Sequence, residues 1–346
     1  AEVAALRGAP GAAGTAIDAC LAIHPREPRA GMQRAALALS SGDLAAGWRQ
    51  MESRFRYWRR DTPAQTFAQP RWQGEDPAGR SLMVWREEGV GDEMRFASCV
   101  PELAERGFSR VIFECAPRLA ELFGRSFPGI EVRAEAPKAP ADYDLQIPLF
   151  SLPGFLRPDL EAFPDRLAYL RADPDRAAGW RSRLAAFGDG ARIGVCWRSL
   201  NTSWAKMPFH SDLADWAPVL ALPGVTWVSL QVGASADELD RARAAFGVDI
   251  HVLDGLDLRD DFDGVAAVVS QLDAVVSARC WVPILAGALG VPTHCFGAAF
   301  NPYFQGQDRD PWMPAVSVHV GDKRDGWREP MTAIAADLAA RVGRLR

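Results

Sequence analysis

VVSARCWVPILAGALG, residues 275–290, changes character in its middle. Residues 275–278 are an unbroken apolar and small run, the composition of a strand covered on both faces, whereas Trp281 onward carries apolar and small residues at helical spacing. Arg279 and Cys280 occupy the turn between them. A strand running directly into a helix is the repeating unit of a parallel sheet, and open α/β sheets bind ligands at the carboxyl ends of their strands. Arg279 and Cys280 therefore stand where a ligand is expected. Pro283 suits a first helical turn, and no Ser, Thr, Asp or Asn precedes the helix to cap its amides, so those donors are expected to be left for a ligand.

The same alternation extends in both directions. SLMVW (81–85), RVIFEC (110–115) and EVRAE (131–135) read as strands, with EMRFASCVPELAERG (93–107) and PRLAELFGRSF (117–127) as helices between them, and YDLQIPLFSL (143–152) continues this half. DPDRAAGWRSRLAAFG (173–188) reads as a connecting helix. RIGVCW (192–197), VTWVSLQ (225–231), IHVLD (250–254), AVVS (274–277) and THCFG (293–297) then form a second set of strands, and residues 328–346 a final helix. The expected class is α/β with two Rossmann-like domains, at 81–173 and 174–330, and a C-terminal helix at 331–346. Ligands of such a pair belong in the cleft between the domains.

Residues 1–60 have a different texture. TAIDACLAIHPREPRAGMQRAALALSSGDLAAGWRQMESRF (15–55) places apolar residues at helical spacing, broken by HPREP and SSGD. Its small residues suit close helix pairing of the tetratricopeptide kind, although little more than one repeat is visible; a plain helical hairpin is the alternative. Such a short array needs a neighbour, so the module either packs on the next domain or continues upstream. Residues 61–80 lose periodicity and read as a linker.

Composition narrows the function classes. The 346 residues are 48% hydrophobic and 24% charged, with Lys+Arg 39 against Asp+Glu 44 and a net charge of −5. Neither a basic stripe for nucleic acid nor a polybasic membrane run is present. Six cysteines without a C-x-x-C pair fit a reducing cytoplasm. No stretch of about 18 apolar residues could span a bilayer, and the alanine-rich start lacks the form of a signal peptide. His24, His210, His251, His294 and His319 show no ligand spacing, so no metal centre is expected. His294, inside an apolar strand, reads as a core histidine.

Two further strand-end loops carry polar residues. In WREEGVGDEMRFA (85–97), Gly89 and Gly91 permit a tight turn and close backbone approach, Glu87 and Glu88 add negative charge, and Asp92 opens a helix. A lone G-x-G falls short of a dinucleotide fingerprint. Asp92 is either an N-cap or a catalytic carboxylate. In WRSLNTSWAKMPF (197–209), Arg198, Ser199, Asn201, Thr202 and Lys206 offer hydroxyls, an amide and two cations: a diphosphate cradle or a solvated polar loop. Gln231 ends the neighbouring strand on the same side. Trp204 and Trp281 fall in these loops, where a ring can stack on a base or sugar; the other strand-flanked tryptophans read as sheet packing. Asp261 and Asp263 read as caps of the helix before AVVS, and NPYFQGQDRDPW (301–312), with Phe304 and Gln305, as a long surface loop.

Residues 70–107, IGVCWRSLNTSWAKMPF (193–209), PGVTWVSLQ (223–231) and LDAVVSARCWVPILAGALGVPT (272–293) together resemble bacterial tetratricopeptide-repeat proteins carrying a heptosyltransferase-like, family 9-like glycosyltransferase domain. The resemblance runs in order from about residue 20 to 330. It implies a GT-B fold, a nucleotide-sugar donor, no cofactor and no required metal. Asp92 matches the aspartate of the family's G-x-G-D turn, the general base toward an acceptor hydroxyl, with Glu88, Gly89 and Gly91 on the acceptor side. Lys206 matches the lysine that contacts donor phosphate, and Arg198, Ser199, Asn201, Thr202, Gln231, Arg279, Cys280 and Trp281 fall on the donor side. Where the family reads D-T-x-x-x-H, this chain has Arg279, Cys280 and Ile284. Either the donor differs, an acidic sugar suiting an arginine fork, or activity is lost and a scaffold binding protein or nucleotide remains. Arg279 could alternatively form an interdomain ion pair with Asp92. The helical module implies a protein acceptor such as flagellin.

Overall fold

The computed structural model describes residues 9–56, 67–136, 140–201, 210–298, 301–304, 307–321 and 326–345. The chain divides into two compact units, each built on a parallel sheet.

The first unit opens with helices α1 (Pro10–Ile23), α2 (Pro28–Ser40) and α3 (Leu44–Met51). Pro28 starts α2 at a position that needs no amide, and Asp43, at the end of the SSGD turn, caps α3 by accepting from the Ala46 N–H at 3.1 Å. Gly47 lets α3 lie against α2, since a Cβ there would come within 2.6 Å of the Leu39 side chain. These helices are packed on the sheet that follows. The indole of Trp48 donates to the Arg157 carbonyl at 2.9 Å and meets Phe96 edge-on at 6.1 Å. The N-terminal helices thus pack within the first unit.

The sheet of this unit contains β1 (Ser81–Trp85), β2 (Arg110–Cys115), β3 (Glu131–Ala134) and β4 (Leu145–Pro148), with α4 (Val90–Ala97) after β1, α5 (Ala120–Ser126) after β2, and α6 (Pro153–Leu156) after β4. Strand order is β3-β2-β1-β4, all parallel, with Ser81 opposite Arg110 and Leu82 opposite Leu145. The helix expected over 93–107 is shorter. It stops at Ala97 and a 3-10 segment, Val100–Glu105, follows, because Pro101 has no amide to donate and its ring crowds the preceding turn.

A second difference concerns NPYFQGQDRDPW. Residues 301–304 and 307–312 group with the first unit, with Asn301, Phe304, Asp310 and Trp312 buried and 307–309 exposed, and residues 121–126 of α5 group with the second. Asp310 is buried in a two-oxygen pair with Arg95 at 2.9 and 2.7 Å, and Trp312 meets Phe96 and Phe163 edge-on at 5.0 and 4.9 Å. Gln305 lies outside the described residues.

The second unit contains α7 (Pro174–Ala185), β5 (Ala191–Cys196), α8 (Ala217–Leu220), β6 (Val225–Ser229), α9 (Ala236–Phe246), β7 (Ile250–His251), α10 (Phe262–Val269), β8 (Ala274–Ala278), α11 (Trp281–Ala288), β9 (Thr293–Gly297), β10 (Val316–Val320) and α12 (Arg328–Leu345). Its sheet runs β10-β9-β8-β5-β6-β7, again all parallel. β5, β8 and β9 are buried along most or all of their length, as their continuous apolar runs require. Asp261 caps α10 as read from sequence, accepting from the Gly264 N–H at 2.9 Å, while Asp263 pairs with Arg125 at 2.6 Å. β10, VSVHV, is not read as a strand from sequence. It lies at the sheet edge with only part of its length buried, so its apolar residues alternate instead of forming a run. Among the described residues no helix is long and apolar enough to cross a membrane.

Candidate active site

In each sheet the strand order reverses once. The reversal falls between β1 and β4 in the first and between β5 and β8 in the second. A reversal splits the following connections to opposite faces and opens a crevice at the strands' carboxyl ends. Residues 86–92 follow β1, Trp197 and Arg198 follow β5, and Arg279 and Cys280 follow β8, so the loops singled out in the sequence sit at the two reversals.

At the first reversal the turn is held by buried charge. Glu87 receives the Arg54 guanidinium in parallel bonds of 3.0 and 3.0 Å and the Phe150 N–H at 3.0 Å. Arg54 also reaches Ser151 Oγ at 2.8 Å. Arg86 bridges Glu93 at 2.7 Å and Glu135 at 2.6 Å and donates to the Glu88 carbonyl at 3.0 Å. Glu87 is thus paired from the N-terminal segment, and its negative charge still acts on Glu88 beside it. Glu88 adopts a left-handed backbone, φ 60°, which costs a non-glycine residue on the order of 1–2 kcal/mol. Its side chain reaches solvent, yet surrounding protein desolvates the carboxyl; the charges of Asp92 and Glu87 add to this, Arg54 opposes, and the net push on its pKa is upward.

Gly89, extended at φ −94° and ψ 166°, is the N-cap of α4 and has no side chain to offer its amides. Asp92 is consequently not the cap. It is the third helical residue, half-buried in the first turn beside Glu93, where the positive end of the helix favours an ionised carboxylate. Among the described residues, a Cβ added at Gly89 would meet nothing within 4 Å.

At the second reversal Gln231 organises the turn. Its Oε1 accepts from the Trp197 N–H at 3.0 Å and the Arg198 N–H at 2.9 Å, and its Nε2 donates to the Val232 carbonyl at 3.0 Å. The Arg198 guanidinium is gripped by both oxygens of Glu238, at 2.5 and 3.0 Å, and donates to the Gly233 carbonyl at 3.1 Å. Glu238 also receives the Trp197 indole at 3.1 Å and completes a capping box with Ser235 on α9. Burial works against its charge, but the Ser235 amide, the indole, the Ser235 hydroxyl and Arg198 hold its carboxyl below the ordinary value. Ser199 Oγ accepts from the Asn201 N–H at 3.1 Å in a local turn. Thr202, Trp204 and Lys206 lie outside the described residues.

Arg279 is half-buried and directly follows β8. The expectation that α11 begins without a side-chain cap is corrected: Cys280 is its N-cap, and Sγ accepts from the Val282 N–H at 3.4 Å. The same sulfur lies 3.7 Å from Cys196 Sγ and 3.7 Å from Ser277 Oγ. Contact with Cys280, then burial, pushes the Cys196 thiol well up and keeps it protonated. Trp281, the first residue of α11, meets Phe262 edge-on at 4.9 Å, which directs its ring toward α10.

Two reversals with polar turns, on two successive parallel sheets after a helical segment, match solved structures. Heptosyltransferase II from E. coli, described as an ADP-heptose lipopolysaccharide enzyme, superposes with a TM-score of 0.53 at 12% identity, covering 76% of this chain and 99% of that one. A glycosyl transferase family 9 protein from Veillonella parvula gives a TM-score of 0.51 at 11% identity, covering 77% and 96%. The fold is GT-B. In sequence, the chain is 36% identical over 325 residues to Protein FlbA of Caulobacter vibrioides, covering 88% of this chain and 54% of FlbA, so it spans about half the length of that curated relative. No protein-family model matches the chain.

Within this GT-B chain, sequence reasoning placed the reversal loops but missed Glu238, which neutralises Arg198. The signal was available as Ser235-x-x-Glu238, a capping-box pattern at the start of α9. Arg54, the partner of Glu87, gave no such signal. It lies 33 residues upstream in an otherwise ordinary helical segment.

Proposed function

We propose that the chain is a glycosyltransferase that moves a sugar from a nucleotide-sugar donor to an acceptor hydroxyl. The observation that carries this reading is the position of Asp92: in the first turn of α4, three residues after the glycine N-cap Gly89, at the strand-order reversal of a GT-B sheet. Asp92 takes the proton of the acceptor hydroxyl, whose oxygen bonds to the anomeric carbon as the bond from that carbon to the donor phosphate breaks. The leaving phosphate keeps the electron pair, and its charge is met by Lys206 and by the turns after β5 and β8. No step passes through a metal.

The acceptor side is assigned to the first unit, with Glu88, Gly89 and Gly91 around the base, and the donor side to the second. Arg198 positions the donor turn through Glu238, Ser199 and Asn201 follow it as polar groups, and Thr202 is assigned to the donor side by the resemblance alone. Arg279 supports a donor with an acid beyond its phosphates. The three N-terminal helices, as a tetratricopeptide-type module, are assigned to presenting a protein acceptor, with flagellin serine or threonine hydroxyls as the type. The reading places the reaction in the cytoplasm.

A screen of uridine, adenosine, guanosine and cytidine phospho-sugars by thermal shift tests the donor half of this proposal, because a ligand bound only by the folded state raises Tm. Stabilisation by at least one nucleotide sugar is expected. Lys206→Ala should weaken that shift by the loss of a charged contact, about 1.5–3 kcal/mol. Stabilisation by none would leave the scaffold reading, which the D-T-x-x-x-H departure at Arg279, Cys280 and Ile284 favours.

A further inference from the structure

His294 and His319 stand 25 residues apart and share no local motif. The parallel pairing of β9 with β10 sets Ser317 opposite His294 and His319 opposite Phe296. Residues two apart on a strand share a face, so both imidazoles project from the same side of the sheet. His294 Nδ1 lies 3.0 Å from His319 Nε2. Phe296 on that face packs with Met331, Ile334 and Leu338 of α12, the helix that also carries Asp337. The Asp337 carboxylate comes within 3.9 Å of His294 Nδ1, and one donor atom from each of the three residues lies within 4.8 Å of the others.

We propose that His294, His319 and Asp337 bind one divalent transition-metal ion, of which zinc fits best, and so tie the edge strand β10 and the helix α12 to the sheet. Imidazole and carboxylate are borderline ligands that suit zinc. Metal bonds of about 2.0–2.1 Å in a tetrahedron place ligand atoms roughly 3.3 Å apart. The two nitrogens already stand near that spacing, and the exposed Asp337 side chain has the freedom to close the remainder. Arg341, one turn beyond Asp337 on α12, is the cation that works against the site. His294 precedes the carboxyl end of β9 by three residues, so the ion holds the fold and takes no part in transfer.

The full chain, stripped with a chelator and dialysed against zinc or cobalt, should retain one ion that depends on these residues. Bound cobalt should show d–d absorption without a thiolate charge-transfer band, which separates this site from Cys196 and Cys280. Zinc should raise Tm. His319→Asn and Asp337→Asn, both made outside the buried core, should each weaken binding by at least the order of 10- to 100-fold that even loss of an outer-shell partner produces. Arg341→Ala should tighten it. Failure of the stripped chain to take up zinc or cobalt, a thiolate band, or affinity unchanged in both His319→Asn and Asp337→Asn would each overturn the proposal and leave a simple imidazole–imidazole hydrogen bond.

Discussion

Gln231 Oε1 accepts the backbone N–H groups of both Trp197 and Arg198, at 3.0 and 2.9 Å, and so one buried amide oxygen fixes the course of the chain as it leaves β5. Gln231→Ala strands two amide donors, each costing about 1–3 kcal/mol where water cannot replace the acceptor. Denaturant unfolding should show a loss of at least that size, accompanied by weaker nucleotide binding. Gln231→Met fills a similar volume without an acceptor and should lose about as much as Gln231→Ala. Recovery of stability and binding in Gln231→Met would mean that side-chain volume, not the two bonds, holds the turn.

Arg54 and Glu87 are the corresponding anchor in the first unit, with side-chain exposures of 1% and 0%. Removing one partner leaves an uncompensated buried charge, so Arg54→Met should cost about 3–5 kcal/mol. Because Arg54 belongs to the N-terminal segment, proteolysis within the helices of residues 10–51 should accelerate in the same variant. Stability within experimental error of the parent would show that the pair does not hold the helices to the sheet.

Glu88 gives a pH dependence of definite sign. Its folded-state pKa is raised above the ordinary 4.5, so the ionised carboxylate destabilises the fold at pH values above that raised pKa. The penalty disappears as pH falls through the raised value to the ordinary one. Glu88→Gln should therefore be more stable than the parent at pH 7, with the difference closing by about pH 4. Glu88→Gly should gain roughly a further 1 kcal/mol by relieving the left-handed backbone. Parallel stability curves for parent and Glu88→Gln across pH 4–7 would rule the electrostatic account out.

Arg279 tests donor class. Arg279→Asp should lower affinity for a donor carrying a sugar carboxylate far more than for its neutral analogue, and Arg279→Lys should fall between, since lysine keeps the charge but loses the planar fork. Isothermal titration with a matched acidic and neutral pair reads the difference. If only folding stability changes, Arg279 belongs to a structural ion pair and the acidic-donor assignment fails.

What was legible in the sequence follows the range of the interactions involved. β1, β2, β5, β6, β8 and β9 are runs whose composition alone reports burial, and the strand-end loops follow from them. Asp261 was readable as a cap because capping is settled within four residues. β10 was not, since an edge strand alternates and VSVHV lacks the unbroken apolar run. The burial of Asn301, Phe304, Asp310 and Trp312 within a stretch read as a surface loop was equally hidden, because it depends on Arg95 and Phe96, more than two hundred residues before Asp310 and Trp312, being brought beside them. Among the site residues, Asp92 was located correctly at a helix entrance, but only the backbone of Gly89 decides that the glycine is the cap.

The central claim is that Asp92 removes the acceptor proton. Asp92→Asn keeps shape and helix position but cannot serve as the base, so release of nucleotide from a bound donor, followed with acceptor protein present, should fall by about two to four orders of magnitude. Donor affinity measured on the same preparation should stay within a few-fold of the parent. Acceptor-dependent turnover by Asp92→Asn at near the parent rate, with donor still bound, would contradict the account.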